Sequence, residues 1–240
     1  MIGTIVNVAG IAAGGVAGMA GKKSFSPATQ FYFKMFLGLA TVCSGLYLTW
    51  ISVNGPFLQI LKQLVIVVVS LMLGKLTGRL LQLQKSSNRL GQLARDRMGA
   101  ARPGNPNRFN DGFVVCATLF CAAPLGILGA IHDGLSGYFY PLAVKAVMDG
   151  LAAMSFVSIF GGGVVLSGVP VLIFQSTITW LCSRFLLPFL SAHGLVDPVN
   201  ATGGLLIFCV GLLIFEIKKI EVTDYLPALI FAPLLAYFLS

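Results

Sequence analysis

Charge is what this sequence has least of. Only 10% of its 240 residues are charged, and only 8 are acidic. A soluble domain carries about 25% charged residues. With 57% hydrophobic residues and a mean hydropathy of +0.90, the chain cannot hydrate its own surface. That excludes a soluble domain and makes lipid the solvent. Histidine is limited to His132 and His193. There is no HExxH, no GxSxG and no singled-out Ser-His-Asp spacing, so intramembrane protease chemistry is unsupported. The expectation is a protein that is not an enzyme, with no cofactor and no metal site. Cys43, Cys116, Cys121, Cys182 and Cys209 all lie in apolar runs without metal-ligand spacing and read as small packing residues. A basic stretch ahead of the first apolar run is also missing. Lys22 and Lys23 follow it instead, an order wrong for a cleaved signal peptide and right for a first helix inserted with its N-terminus outside.

What is abundant is apolar length. A membrane span needs roughly 20 apolar residues. Eight such helices are read at 2–20, 31–50, 57–78, 113–131, 141–160, 164–190, 200–215 and 223–239. Pro124 falls in the fourth, Pro170 and Pro188 in the sixth, Pro227 and Pro233 in the eighth. With the N-terminus outside, 13 of the 16 Lys and Arg, counting Lys75, face the cytoplasm, and the outer loops 51–56, 132–140 and 191–199 carry none. Lys62, Lys145 and Arg184 fall inside helices. The apolar runs and the positive-inside pattern predict an all-α integral membrane protein, N-out and C-out. Its basic cytoplasmic loop spans 79–112, and Leu76, Leu80, Leu83, Leu90 and Leu93 offer an apolar face for a helix lying on anionic lipid, followed by a flexible RPGNPN. No aromatic platform points to nucleic acid.

Two stretches 166 positions apart read alike, GLATVCSGLYL at 38–48 and GLLIFCVGLLI at 204–214. At that offset the second and third helices align with the seventh and eighth, and the first falls opposite the sixth. A step of five helices is odd, so the two units cross the membrane in opposite directions, the inverted-repeat geometry of many secondary transporters. The chain is then one polytopic domain over 1–240, with unit one at 1–79, the basic loop, inserted helices at 113–160 and unit two at 164–240.

Ionisable residues inside spans are costly and point to function by default. Asp149 lies near the midplane in YPLAVKAVMDGLAAM, with Lys145 one turn shallower on the same face. The two either form a self-neutralising structural pair or make a cation or proton site. Asn7 and Gln175 lie at similar depth in the first and sixth helices, either as site ligands or as interhelical hydrogen bonds. His132 and Asp133 are placed at an outer turn, as a solvated pair or a proton relay. Arg184 is read as snorkelling outward, with an anion role as the alternative. Asp197, Asn200 and Asp224 read as caps of their own helices. GGG at 161–163 reads as a tight turn or hinge.

The order of features, GTIVNVAGIAAGGVAG, FCAAPLGILGAIHDGLSG, AVKAVMDGLAAM, GGGVVLSGVPVLIFQ, NATGGLLIFCVGLLI and DYLPALIFAPLL, resembles the bacterial YdfK/YqgA membrane-protein family, classed as a domain of unknown function. The resemblance spans nearly the whole chain. It implies a polytopic inner-membrane protein often called a transporter and brings no binding residues with it. Two readings follow. The first is a small secondary transporter or channel for an unknown solute or ion, cation- or proton-coupled through Asp149, with Lys145, Asn7, Gln175 and Asp133 as further site residues. The second is a non-transporting scaffold or regulatory protein. It would use the close-packing Gly10/Gly14/Gly18 face and the basic segment for docking, with a homodimer as one form.

Overall fold

In this computed structural model residues 1–21, 25–100 and 107–239 are described. Lys22, Lys23 and residues 102–106 of the RPGNPN segment lie outside the described residues. All regular structure among the described residues is helical. The first three long helices are α1 (Ile2–Met19), α2 (Pro27–Ile51) and α3 (Phe57–Leu80). α2 starts four residues earlier than the apolar pattern indicates. The Ser26 hydroxyl accepts the Thr29 N–H at 3.2 Å, and Pro27 supplies a preset first turn.

α4 (Leu83–Ala100) follows a turn at Leu81–Gln82, so the expected leucine stripe is split between two helices. Toward the protein α4 turns a face of Ser87, Gly91, Ala94 and Met98, while Leu90 and Leu93 point outward. The fourth span is not one helix over 113–131. It is α5 (Arg108–Ala122) and α6 (Pro124–Ser136), bent by 59° at Ala123. Pro124 has no N–H to continue the ladder and drives Ala123 into an extended conformation (ψ 124°). α6 also runs past the expected end, to Gly137, whose left-handed conformation (φ 67°) closes the helix.

α7 (Tyr140–Phe160) is continuous. The sixth span comes in pieces: α8 (Gly163–Leu166), α9 (Gly168–Leu181), a π-turn at Cys182–Leu186 and α10 (Leu187–Ala192). The wider π-turn lies directly before Pro188, which has no N–H to donate. α11 (Val196–Ile214), α12 (Val222–Tyr225) and α13 (Ala228–Leu239) complete the chain. Among the described residues, seven helices are long and apolar enough to cross a membrane, or eight when the bent α5–α6 pair counts as one span. The chain is an all-helical membrane protein.

Glycines set the closest approaches. A methyl group placed on Gly10, Gly14 or Gly18 would lie 2.4, 1.9 or 2.6 Å from the carbonyl oxygens of Ala146, Gly150 and Met154. α1 therefore packs parallel to α7, backbone against backbone. The small-residue face that offered a docking surface is spent inside the molecule.

α2 and α11 pack antiparallel, and their contacts are reciprocal. A methyl on Gly45 would meet Phe208 N at 2.5 Å and Gly204 O at 2.6 Å, and one on Gly211 would meet Val42 N at 3.0 Å and Gly38 O at 3.3 Å. Likewise Gly204 faces Thr49, and Gly38 faces Phe215. Each contact becomes its counterpart when 166 is added to one number and subtracted from the other. α3 and α13 are antiparallel too, Gly74 lying on Ala228 and Lys62 Nζ donating to the Leu239 carbonyl.

Candidate functional site

Four polar side chains meet among α1, α7 and α9 inside an otherwise apolar bundle. Asn7 and Gln175 are 0% exposed, Lys145 2% and Asp149 7%. Lys145 Nζ lies 2.5 Å from Asp149 Oδ2, the one-turn spacing that the sequence predicts. Asn7 Nδ2 donates to Gln175 Oε1 at 3.2 Å. All four expected central residues are thus brought together, across 168 positions in the case of Asn7 and Gln175.

The set is not closed. Asn7 Oδ1 and Gln175 Nε2 are buried and have no partner among the described residues, one acceptor and one donor left over. An unmet buried polar group costs about 1–3 kcal/mol, so such atoms call for an explanation. Phe120 of α5 lies beside the cluster, its ring centre 5.8 Å from Lys145 Nζ. Gly126, in the first turn of α6, is the other neighbour that sequence reading missed. A methyl there would lie 2.8 Å from Lys145 Cε and 3.2 Å from Gln175 Nε2. Pro124 was the available signal, since it ends α5 and starts α6 beside the site.

Asp133 is elsewhere. It accepts the Gly3 N–H at 3.2 Å, and the Met1 amine lies 3.0 Å away. The expected solvated turn is corrected. His132 is 0% exposed and Asp133 6%, because α6 continues through both. His132 Nδ1 lies 3.1 Å from Asn200 Oδ1, and its Nε2, without a partner, fits against Gly203, where a methyl would sit 1.8 Å away. Asn200 is therefore no cap but a buried partner within α11. Thr4, one turn from Asn7 on α1 and 0% exposed, carries a further hydroxyl with no partner among the described residues.

Asp224 is corrected as well. It does not cap its own helix but accepts the Gln84 N–H at the start of α4 at 2.8 Å, while Gln84 Oε1 accepts the Thr223 N–H at 3.2 Å. Arg108 donates to the carbonyls of Val157, Ser158 and Ile159 at the end of α7, where a cation meets the negative end of the helix dipole. Lys34 pairs with Glu216 at 2.5 Å, holding that exposed carboxyl below the usual range. Among the described residues no group of three or more His, Cys, Asp or Glu could hold a metal ion.

Comparison with known proteins matches this architecture to a family. The family model described as protein of unknown function (DUF554) matches residues 2–237. The chain is 30% identical over 234 residues to the uncharacterized protein YqgA of Escherichia coli (strain K12), covering 97% of this chain and 94% of the relative. It is 27% identical over 237 residues to the uncharacterized membrane protein YdfK of Bacillus subtilis (strain 168), covering 99% and 96%. No solved structure matches. The chain belongs to the DUF554 family.

Proposed function

We propose that this DUF554 family member is a small secondary transporter of the bacterial inner membrane, with no catalytic role, in an occluded conformation. The observation that carries the reading is the central cluster. A buried ion pair and two amides converge from α1, α7 and α9, and one acceptor and one donor have no partner. A static core would bond such atoms internally or omit them.

Three further features support it. The reciprocal α2–α11 contacts are those of a local two-fold axis in the membrane plane, the relation that an inverted repeat of α1–α3 and α8–α13 requires. Helix directions also alternate as eight spans demand, α1 parallel to α7 and α2 and α3 antiparallel to α11 and α13. Both relatives are bacterial. With the N-terminus outside, α4 lies at the inner face, its Lys85, Arg89, Arg95 and Arg97 suited to anionic lipid.

Two observations favour the scaffold reading. Lys145 and Asp149 satisfy each other, and five pockets are lined by other residues. Against it, the Gly10/Gly14/Gly18 face is already occupied by α7.

A sole-cysteine protein with Thr4→Cys separates the two. A carrier that opens outward exposes this position, and a membrane-impermeant thiol reagent added outside modifies it. A sealed scaffold leaves it unmodified at any exposure time that labels a surface cysteine.

A further inference from the structure

The central cluster has two poles of opposite hydrogen-bonding character, and Gly126 marks one of them. Lys145 Cε and Gln175 Nε2 both approach this side-chain-free position in the first turn of α6. α6 is 13 residues long and starts at the break after Ala123, so the positive end of its dipole lies at the same place, while Pro124 has no N–H and the Gly126 N–H is bonded to the Ala123 carbonyl. This pole consists of the Lys145 side chain, whose Nζ is held by Asp149, an amide NH2 that is 0% exposed and unpartnered among the described residues, and a half-helix N-terminus. The other pole consists of acceptors, the Asp149 carboxylate and Asn7 Oδ1, which has no partner among the described residues.

Resting on the carrier reading, we infer that this site binds a small zwitterion of the α-amino-acid class. The solute's carboxylate lies at the α6 N-terminus with Lys145 and Gln175 Nε2. Its ammonium lies between Asp149 and Asn7 Oδ1. Half-helix N-termini serve substrate carboxylates in this way in broken-helix transporters generally.

Charge conservation selects this class. Empty, the site is neutral because Lys145 and Asp149 sit 2.5 Å apart. A zwitterion exchanges that one internal pair for two pairs to itself, and the buried net charge stays at zero. A lone cation strands Lys145 and a lone anion strands Asp149, each an uncompensated charge in a low-dielectric interior. The one spare donor and one spare acceptor supply the second hydrogen bond to each end of the solute.

The test uses the full-length protein in detergent, with the twenty protein α-amino acids added singly and ethylamine and propionate as single-pole probes. At least one amino acid should raise Tm by about 5–10 °C at a hundred times its Kd, and neither single-pole probe should do so. Gly126→Ala puts a methyl 2.8 Å from Lys145 Cε and 3.2 Å from Gln175 Nε2 and should weaken that amino acid at least tenfold. The inference is overturned if no amino acid shifts Tm, if ethylamine or propionate matches the best of them, or if Gly126→Ala binds with full affinity. Thiol labelling of Thr4→Cys from outside then tells which reading fails. Labelling without amino-acid binding removes the zwitterion and keeps the carrier, and no labelling removes the carrier itself.

Discussion

Lys145 is among the largest side chains to be fully buried among the described residues, and its charge is paired with Asp149. Breaking a buried pair by removing one partner costs about 3–5 kcal/mol, whereas replacing both by apolar groups is often neutral. Lys145→Met should therefore destabilise by about 3–5 kcal/mol, and Lys145→Met with Asp149→Leu by much less than the sum of the single changes, measured by denaturant unfolding in detergent. Gln82 sits at φ 53° in the turn between α3 and α4, a conformation that costs a residue with a side chain about 1–2 kcal/mol. Gln82→Gly should stabilise by about 1 kcal/mol in the same measurement. Lys34 depresses the Glu216 carboxyl, so their link is present at neutral pH and is lost as pH falls through that lowered pKa. Lys34→Ala should return the Glu216 titration, followed by infrared absorption of the carboxylate, to the ordinary range. Residue by residue, the four central side chains were legible in the sequence because polar groups are rare in apolar runs. His132 and Asn200 were misread because each stood near a predicted loop, where a polar residue needs no partner.

At the scale of elements, the breaks matter more than the helices. Hydropathy located the spans because each is long and apolar, but it carries no direct signal for a 59° bend. Pro124 was visible, and its effect depended on where α6 would point afterwards, which is a tertiary fact. α4 was anticipated as a helix on the membrane surface, yet its start is fixed from elsewhere. Asp224 on α12 caps it, and Gln84 returns a bond to Thr223. Losing a helix N-cap costs about 0.5–2 kcal/mol. Asp224→Ala should therefore free the beginning of α4 first, seen as faster amide hydrogen exchange over 83–90 with little change in α7. Equal acceleration everywhere would mean that Asp224 supports the whole bundle.

At the scale of the molecule, the similarity between GLATVCSGLYL and GLLIFCVGLLI corresponds to a physical contact. Its matched glycines are the positions where α2 and α11 touch, and they touch reciprocally. The sequence match could not show this, since two helices may share a pattern without meeting. Nor could it show that α1 would pack on the inserted α7 through three glycines and so leave the Gly10/Gly14/Gly18 face unavailable to a partner. The proposed carrier moves one unit against the other about the buried cluster, and Asn7 is the point that both sides must reach in turn. The direct measurement is modification of Asn7→Cys, as the sole cysteine, by a membrane-impermeant thiol reagent applied separately to right-side-out and to inverted vesicles. Alternating access predicts labelling from each face, with modification from one side blocking the other. Labelling from neither face, or from one face only under all solutes tried, would contradict it.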